Sequence, residues 1–492
     1  MASAGHRTRS LALAARIKYH LRGTLHLQEW KVDMTTSQHE RIQTSLVEAK
    51  DNSPRRKPWD TERSVNQAPE GRKKLPNRVG HVGMLVTALT LLGCSQRTTN
   101  TTQQPDSAAS IVITVEAGAH DRRDTPISIT LDGIGEITPP LHVLEITDDG
   151  PRPIPSQFEE SESPRLWFIV SDIPAGSRRR YELRPGMAAA DTHMTVQNAS
   201  GNLEIRQGRS PVLRYNTVRF TPPAPIDDVY GRNGHIHPVW TPAGRIVTDE
   251  CPPDHAHQSG IFFAFTKTEF EGRNPNFWDL AGKTGRVRYA ATEATTHGPV
   301  YGGFRVRHDH EDLTAPSPKT ALTETWDVRA WNIGGRDAKY RLFDITTSIR
   351  CATASPLQIL KYHYGGMAIR GARGWTTENC RFHTADGKDR DGNHTRVRWV
   401  DIAGPAADTT AGVTVMTHPD NLRFPEPVRI HPTMPYMVYT PAHLGDWSIE
   451  PGHTHSVRYR YYVHDGDLDP ETAERLWRDF AEPPVVRVET SR

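Results

Sequence analysis

The sequence has few cysteines, little net charge and no long apolar run, and each shortage argues against a class of protein. Its cysteines are Cys94, Cys251, Cys351 and Cys380, and the absence of any Cys-x-x-Cys pair argues against a structural zinc ribbon. Lys and Arg total 60 against 58 Asp and Glu, so the formal net charge of +2 argues against a dedicated nucleic-acid binder. No apolar stretch reaches the roughly 20 residues of a membrane-spanning helix, so none is predicted.

The first 110 residues are typical of targeting and linker sequence. The hydrophobic content of the whole chain, 36%, is low for a uniformly globular protein, so part of it is expected to lie outside a folded core. We interpret residues 1–78 as disordered or as an over-extended translation start. Positive charge at residues 72–78 is followed by a short apolar run and Leu-Leu-Gly-Cys, which is the order of a lipoprotein signal peptide, and we assign residues 79–94 to that signal peptide. Residues 95–110 then form a flexible tether.

This order predicts an exported protein, periplasmic or held at the outer membrane by a lipid on Cys94. The alternative is that the long start is the one used. The signal would then go unrecognised and the protein would stay in the cytoplasm.

From residue 111 onward, short alternating runs separated by Gly, Pro, Asp and Asn predict β-strands. The predicted strands are 111–115, 127–131, 141–146, 166–170, 203–206, 212–215, 261–265, 300–306, 322–331, 340–349, 413–417, 436–440 and 457–463. One helical pattern follows, with Asp469 as its cap and Pro470 in the first helical position. The fold class is therefore all-β and antiparallel, with one short C-terminal helix. We divide it into an N-terminal β subregion, 111–190, and a main β domain, 191–482.

The segment from residue 231 to residue 282 concentrates titratable and aromatic side chains to an unusual degree. Polar groups of this kind are costly to bury without partners, so their density predicts the lining of a cleft. Its candidate side chains are His235, His237, Trp240, Asp249, Glu250, Asp254, His255, His257, Trp278 and Asp279. Each His-x-His pair could chelate a metal in an extended chain, but hydrogen-bonded loop histidines are the interpretation that we favour.

Three later segments add candidates. In residues 321–331, strand alternation places Glu324 in an apolar row, where it is either a desolvated acid–base group or an edge-strand residue facing water. His363 precedes the Gly365-Gly366 pair, which lets a backbone approach a ligand or simply makes a turn. Arg370 lies just beyond and could clamp a carboxylate or diol. The remaining candidates are His418, Asp420, Asp446 and Trp447.

Several of these segments, in this order, resemble a bacterial family catalogued as PmoA-like. They are HPVWTPAGRIVTDECPPDHAHQSGIFFAF, FWDL, KYHYGGMAIRG, GNHTRVRWVDIAG and MTHPDNLRFPEPVRIHPTMPYMVYTPAHLGDWSIEPG. The resemblance covers residues 111–463. The family name refers to a methane monooxygenase subunit, which is an integral membrane protein. Methane oxidation is not carried over, because this chain has no predicted spanning helix.

A fainter resemblance is to galactose mutarotases, which are β-supersandwich proteins. NPNFWDLAG, VTVMTHPDN and the Glu-Pro-Gly at 450–452 are similar to mutarotase segments in the same order. Pro275 stands where those enzymes have their general-acid histidine, and Met416 stands where they have their glutamate base. The resemblance therefore implies an antiparallel β-supersandwich and a cleft suited to sugars, without mutarotase activity.

Together these features predict an envelope protein that acts on a sugar in an aromatic-lined cleft, as a hydrolase, lyase or epimerase. The expected catalytic side chains are His255, His257, Glu324 and His363, because histidine titrates near neutrality. The expected substrate-binding side chains are His237, Trp240, Trp278, Asp279, Arg370, His418, Asp420, Asp446 and Trp447. No cofactor is expected. The alternatives are a non-catalytic carbohydrate-binding lipoprotein and a metal-dependent oxidoreductase, the latter suggested by the family name.

Overall fold

The computed structural model describes residues 110–132, 140–190 and 192–491, and these form an antiparallel β protein. The strands up to residue 300 are β1 Ser110–Glu116, β2 Thr125–Thr130, β3 Leu141–Thr147, β4 Gly150–Ile154, β5 Ser156–Glu159, β6 Arg165–Val170, β7 Arg178–Pro185, β8 Met194–Ala199, β9 Asn202–Gln207, β10 Ser210–Asn216, β11 His235–Val239, β12 Ile261–Ala264, β13 Thr268–Glu269 and β14 Gly285–Thr296. The later strands are β15 Tyr301–Asp312, β16 Lys319–Trp331, β17 Tyr340–Cys351, β18 Leu357–Ile359, β19 Gly366–Arg370, β20 Arg381–Thr384, β21 Trp399–Ala406, β22 Thr409–Thr417, β23 Val428–Ile430, β24 Tyr436–Tyr439, β25 Trp447–Ile449, β26 His455–Asp465 and β27 Val485–Ser491. Helix α1 spans Pro470–Ala481.

The predicted fold class is confirmed: the chain is all-β and antiparallel, with one α-helix near its C-terminus among the described residues. Every predicted strand is present to within a few residues. The side chain of Asp469 accepts a hydrogen bond from the Glu471 amide, which caps α1 as expected. No described helix is long and apolar enough to cross a membrane. The predicted signal peptide, its Cys94 and the tether lie outside the described residues.

The main body consists of two eight-stranded sheets packed face to face. Sheet 1 has the order β23-β24-β19-β12-β11-β10-β9-β8, and sheet 2 has the order β14-β15-β16-β17-β26-β22-β21-β20. Buried side chains of both sheets form one core, in which the ring of Tyr215 contacts Phe304 and Trp326. Burial of this apolar surface is the main force that holds the sheets together.

A second, smaller sandwich is built from the first strands and the last one. Its sheets have the orders β27-β1-β7-β3-β4 and β2-β6-β5, and they enclose a separate apolar core. Strand β27 pairs along the whole of β1, from Ser110 opposite Ser491 to Glu116 opposite Val485. The final strand, which the sequence did not predict, therefore completes a sheet that begins almost 400 residues earlier.

One buried carboxyl ties the loop after β22 to β26. Glu426 accepts hydrogen bonds from Asn421 Nδ2 (2.8 Å) and from the Tyr459 hydroxyl (2.9 Å). The Asn421 side chain also bonds the backbone of Arg458 in both directions. Burial raises the pKa of Glu426 from 4.5 to about 7. The stability that this group contributes is therefore complete below pH 4.5 and is lost as the pH rises through about 7.

We expect Glu426→Gln to stabilise the protein at pH 8 by about 1–3 kcal/mol, because the amide never ionises: its oxygen accepts from Asn421 Nδ2 and its nitrogen donates to the Tyr459 hydroxyl. At pH 4.5, where Glu426 is protonated, the variant and the parent should have nearly equal free energies of unfolding. Urea denaturation at the two pH values measures this difference. A variant that is destabilised equally at both would contradict the assigned protonation state.

Candidate functional site

The outer face of sheet 1, which points away from sheet 2, carries a row of polar and aromatic side chains. The Tyr439 hydroxyl donates to the Val415 carbonyl of sheet 2, so Tyr439 faces inward. Alternation along β24 then turns Tyr436 to the outer face, together with Arg370, its register partner in β19. His431, whose amide bonds the Tyr436 carbonyl, extends the row beyond β23.

Histidines from the predicted loop close over this row. The rings of His255 and His257 lie 5.6 Å apart, and the ring of His255 lies 5.8 Å from that of His431. Trp278 packs on Phe262 at 4.7 Å, and its ring is 6.1 Å from that of Tyr436. We call this site the histidine cleft and define it by Arg232, His255, His257, Trp278, Tyr364, Arg370, Arg429, His431 and Tyr436.

Two arginines are buried in the floor of the cleft and a third lies against an aromatic ring at its side. Arg370 donates to Gln258 Oε1 (2.8 Å) and pairs with the half-exposed Asp254 (3.2 Å). Arg232 lies over the Phe262 ring and donates to the His257 carbonyl (3.3 Å).

The guanidinium of Arg429 lies 5.4 Å from the centre of the Tyr364 ring. Burial lowers the pKa of Arg232 to about 10, although it remains charged at neutral pH.

The histidines of the cleft are neutral at pH 7. Burial, assisted by the neighbouring His255, lowers the pKa of His257 to about 4. Burial and the positive charge of Arg429 lower the pKa of His431 to about 3. Burial also lowers the pKa of His255. A neutral imidazole accepts a proton or a hydrogen bond, so the three rings present acceptors beside the arginine donors.

The structure brings several predicted residues to this cleft. His255, His257, Trp278 and Arg370 line it. Asp279 caps the short 3-10 turn Leu280–Gly282, where its charge acts on His257. His363 lies at the rim, with its ring 4.6 Å from Tyr364 and 6.3 Å from His394.

Other residues of the cleft were missed by sequence reasoning: Arg232, Arg429, His431, Tyr436 and, at the rim, His394 and His443. The Val-Arg-Ile alternation of β23 would have predicted one outward side chain, Arg429. The Gly365-Gly366 pair serves packing, because a Cβ on Gly366, at φ 140°, would collide with the Tyr439 carbonyl of the next strand.

Glu324 lies elsewhere, enclosed between the two sheets with no exposed surface. It accepts hydrogen bonds from His310 Nε2 (2.8 Å) and Trp326 Nε1 (2.6 Å), and His308 Nδ1 is 3.6 Å away. His308 is in turn bonded to the Tyr215 hydroxyl. Glu324 is thus the centre of a buried polar network, and the structure does not bring it into the cleft.

The remaining predicted residues are also spread apart. His418 and Asp420 contact Arg458 and lie beside α1 on the outer side of sheet 2, near a hollow of about 610 Å³. His237 bonds Thr248, and the Arg214 guanidinium lies over the Trp240 ring. Asp446 accepts from the Lys361 amide, and Trp447 packs on Phe265 and His455. The single trough that we expected to hold all of these residues is therefore not formed.

No group of three or more His, Cys, Asp or Glu side chains in the described ranges is arranged to hold a metal ion. The His235 ring contacts Glu250 and that of His237 contacts Thr248, so this His-x-His pair, which lies in β11, is hydrogen-bonded to the segment that follows the strand. The cysteines of the described chain, Cys251, Cys351 and Cys380, are free thiols.

Comparison with known proteins identifies a family. The model of DUF6807, a family of unknown function, matches residues 202–478, more than half of the chain. The expected PmoA-like family is therefore wrong, and the oxidoreductase interpretation that rested on its name is withdrawn. No curated protein matches the chain.

Two solved structures are similar over 78% of this chain, each at 9% sequence identity. One is an alpha-mannosidase from Enterococcus faecalis V583, with a TM-score of 0.34, and 46% of that chain is covered. The other is a protein in glycosyl hydrolase family 38 from Enterococcus faecalis, with a TM-score of 0.36 and 47% covered. The chain thus spans about half the length of these proteins, and such weak likeness carries no argument about function.

Proposed function

We propose, for a chain that belongs to the family of unknown function DUF6807, that the histidine cleft binds a sugar and transfers a proton to or from it through His255 and His257. The observation that supports this most strongly is the meeting of three neutral imidazoles, 5.6 and 5.8 Å apart, with the buried Arg370 and aromatic rings on one sheet face. Sites for polyols combine apolar surface with a few convergent donors and acceptors.

The proton step follows from the charge state of the rings. A neutral His257 accepts a proton from the substrate and becomes an imidazolium, which the nearby carboxylate of Asp279 stabilises. The imidazolium then returns the proton to the product or to water. Hydrolysis, elimination and epimerisation of a sugar each require a transfer of this kind, and the proposal covers these reaction classes.

A second candidate function is non-catalytic sugar binding in the same cleft. One observation favours it: within the described chain, no carboxylate is hydrogen-bonded to the ring of His255 or His257. Catalytic histidines are commonly oriented by such a bond. The predicted export and the lipid on Cys94 are a separate proposal, which incorporation of labelled palmitate into the protein would check.

Turnover and binding by single-histidine variants distinguish the two functions. We expect His257→Gln to lower kcat by about 10²–10⁴-fold, measured on a sugar that the parent converts. The affinity for that sugar should change little, since the amide keeps a polar group of similar size. His453→Gln, an exposed histidine after β25, is the matched control and should behave as the parent. The measurement is a panel of oligosaccharides followed by product analysis and calorimetry.

Binding without any turnover across the panel would favour the second function. If nothing in the panel binds or turns over, the proposal fails.

A further inference from the structure

Of the three arginines of the histidine cleft, only Arg370 has a carboxylate within ion-pair distance among the described residues. Asp254, whose side chain is 50% exposed, pairs with no other described arginine or lysine than Arg370. The carboxylate whose charge acts most strongly on Arg232 is Glu250, which the His235 ring already contacts. Arg429 makes no ion pair with a described residue. By contrast Arg460, which lies on the other sheet and is as buried as Arg232 and Arg370, is held by both oxygens of Asp344.

The three arginines of the histidine cleft also have N–H donors without hydrogen-bond partners among the described residues. The Nε atoms of Arg232, Arg370 and Arg429 are buried without a hydrogen-bond partner in the described part of the chain. The hydroxyl of Tyr436, a residue with no exposed surface, is equally unpartnered, and all three arginines act electrostatically on it. Leaving a buried donor without a partner is costly, so several such donors at one place indicate acceptors supplied from outside.

We propose that the ligand is a sugar bearing a carboxylate, a uronic acid unit, and that Arg232, Arg370 and Arg429 hold this carboxylate beside the Tyr436 hydroxyl. The inference rests on the proposed function and names its substrate class. Guanidinium groups match the planar carboxylate in geometry as well as in charge. The neutral histidines are suited to the hydroxyl groups of the same sugar, which can donate to them.

Calorimetry with paired probes tests the charge. Each pair consists of trisaccharides that differ only at C6: galacturonate and galactose, glucuronate and glucose, mannuronate and mannose. We expect at least one acidic member to bind about tenfold or more tightly than its neutral partner, with a preference that weakens as salt is added.

Two variants locate the carboxylate. Arg429→Met keeps the length of the side chain, removes its charge, and should abolish most of the preference for the acidic probe. Tyr436→Phe removes only a hydroxyl without a partner. Its Tm should match that of the parent while its affinity for the acidic probe falls severalfold. The control is Arg350→Met, at an exposed arginine on β17, which should change neither the Tm nor the preference for the acidic probe.

The outcomes separate this inference from the proposed function. Equal binding of acidic and neutral probes overturns the carboxylate and leaves sugar binding intact, whereas no binding of any probe overturns both. An acidic preference that survives both Arg429→Met and Tyr436→Phe places the carboxylate elsewhere and also overturns the inference. If Arg429→Met fails to fold, Tyr436→Phe decides alone.

Discussion

Glu324→Ala is expected to lower the free energy of unfolding by about 3–5 kcal/mol. The substitution leaves the Nε2 donor of His310 and the Nε1 donor of Trp326 unpaired between the two sheets, in a space that water does not reach. It also opens a cavity in the core. Chemical denaturation at pH 7 measures the loss, and it should be among the largest for any single substitution in the chain.

A conservative variant separates the structural role from a catalytic one. Glu324→Gln keeps an acceptor for Trp326 and the volume of the side chain, so its loss should be smaller, about 1–2 kcal/mol. Where either variant folds, its affinity for a ligand of the histidine cleft should match that of the parent, because no contact joins Glu324 to the described residues of the cleft. A Glu324→Ala protein of full stability and no turnover would restore Glu324 as a catalytic candidate.

Mild acid is expected to destabilise the protein strongly, by 3 kcal/mol or more between about pH 6.5 and pH 4. Burial lowers the pKa of several histidines to about 4, among them His237, His257, His308 and His455. Between these pH values the unfolded chain binds protons that the folded chain does not, so stability falls as the pH falls. For the fully buried His308, the difference between 6.5 and about 4 alone corresponds to roughly 3 kcal/mol.

Groups whose pKa is raised in the folded state act in the opposite direction and limit the loss. His464, whose pKa Asp401 raises, and Glu426, whose pKa burial raises, both favour the folded state as the pH falls. Denaturation at several pH values gives the slope of stability against pH. His308→Gln should reduce that slope, whereas His193→Gln, an exposed histidine before β8, should not. A free energy of unfolding that stays constant from pH 6.5 to pH 4 would contradict the assigned neutral histidines.

Local sequence pattern predicted one part of the histidine cleft but not the residues that complete it. The density of titratable side chains in residues 231–282 predicted a lined site, and His255, His257, Trp278 and Asp279 do lie together. Their partners Arg429, His431 and Tyr436 lie about 150 residues later in the sequence. They reach the site only because β24 and β19 are hydrogen-bonded neighbours in sheet 1.

Glu324 shows the same limit within a single strand. Strand alternation correctly predicted that Glu324 lies in the apolar row of β16. Alternation does not determine whether that face of the strand is exposed to water, lines a cleft or packs against another sheet. The packing of sheet 1 against sheet 2 decides it, because side chains of both sheets share one core there. Asp420 was expected to lie beside the histidine-rich loop, but it follows β22 of sheet 2, whereas that loop lies on sheet 1.

The sequence by itself determined the fold class, most strands, the capped C-terminal helix and the histidine-rich segment, because these depend on periods of two or 3.6 residues and on local turn chemistry. Only the tertiary structure decided the order of strands in each sheet, the face that each side chain occupies and the closure of the first strand by the last. Those choices come from burying apolar surface between segments that are hundreds of residues apart, and no local pattern records them.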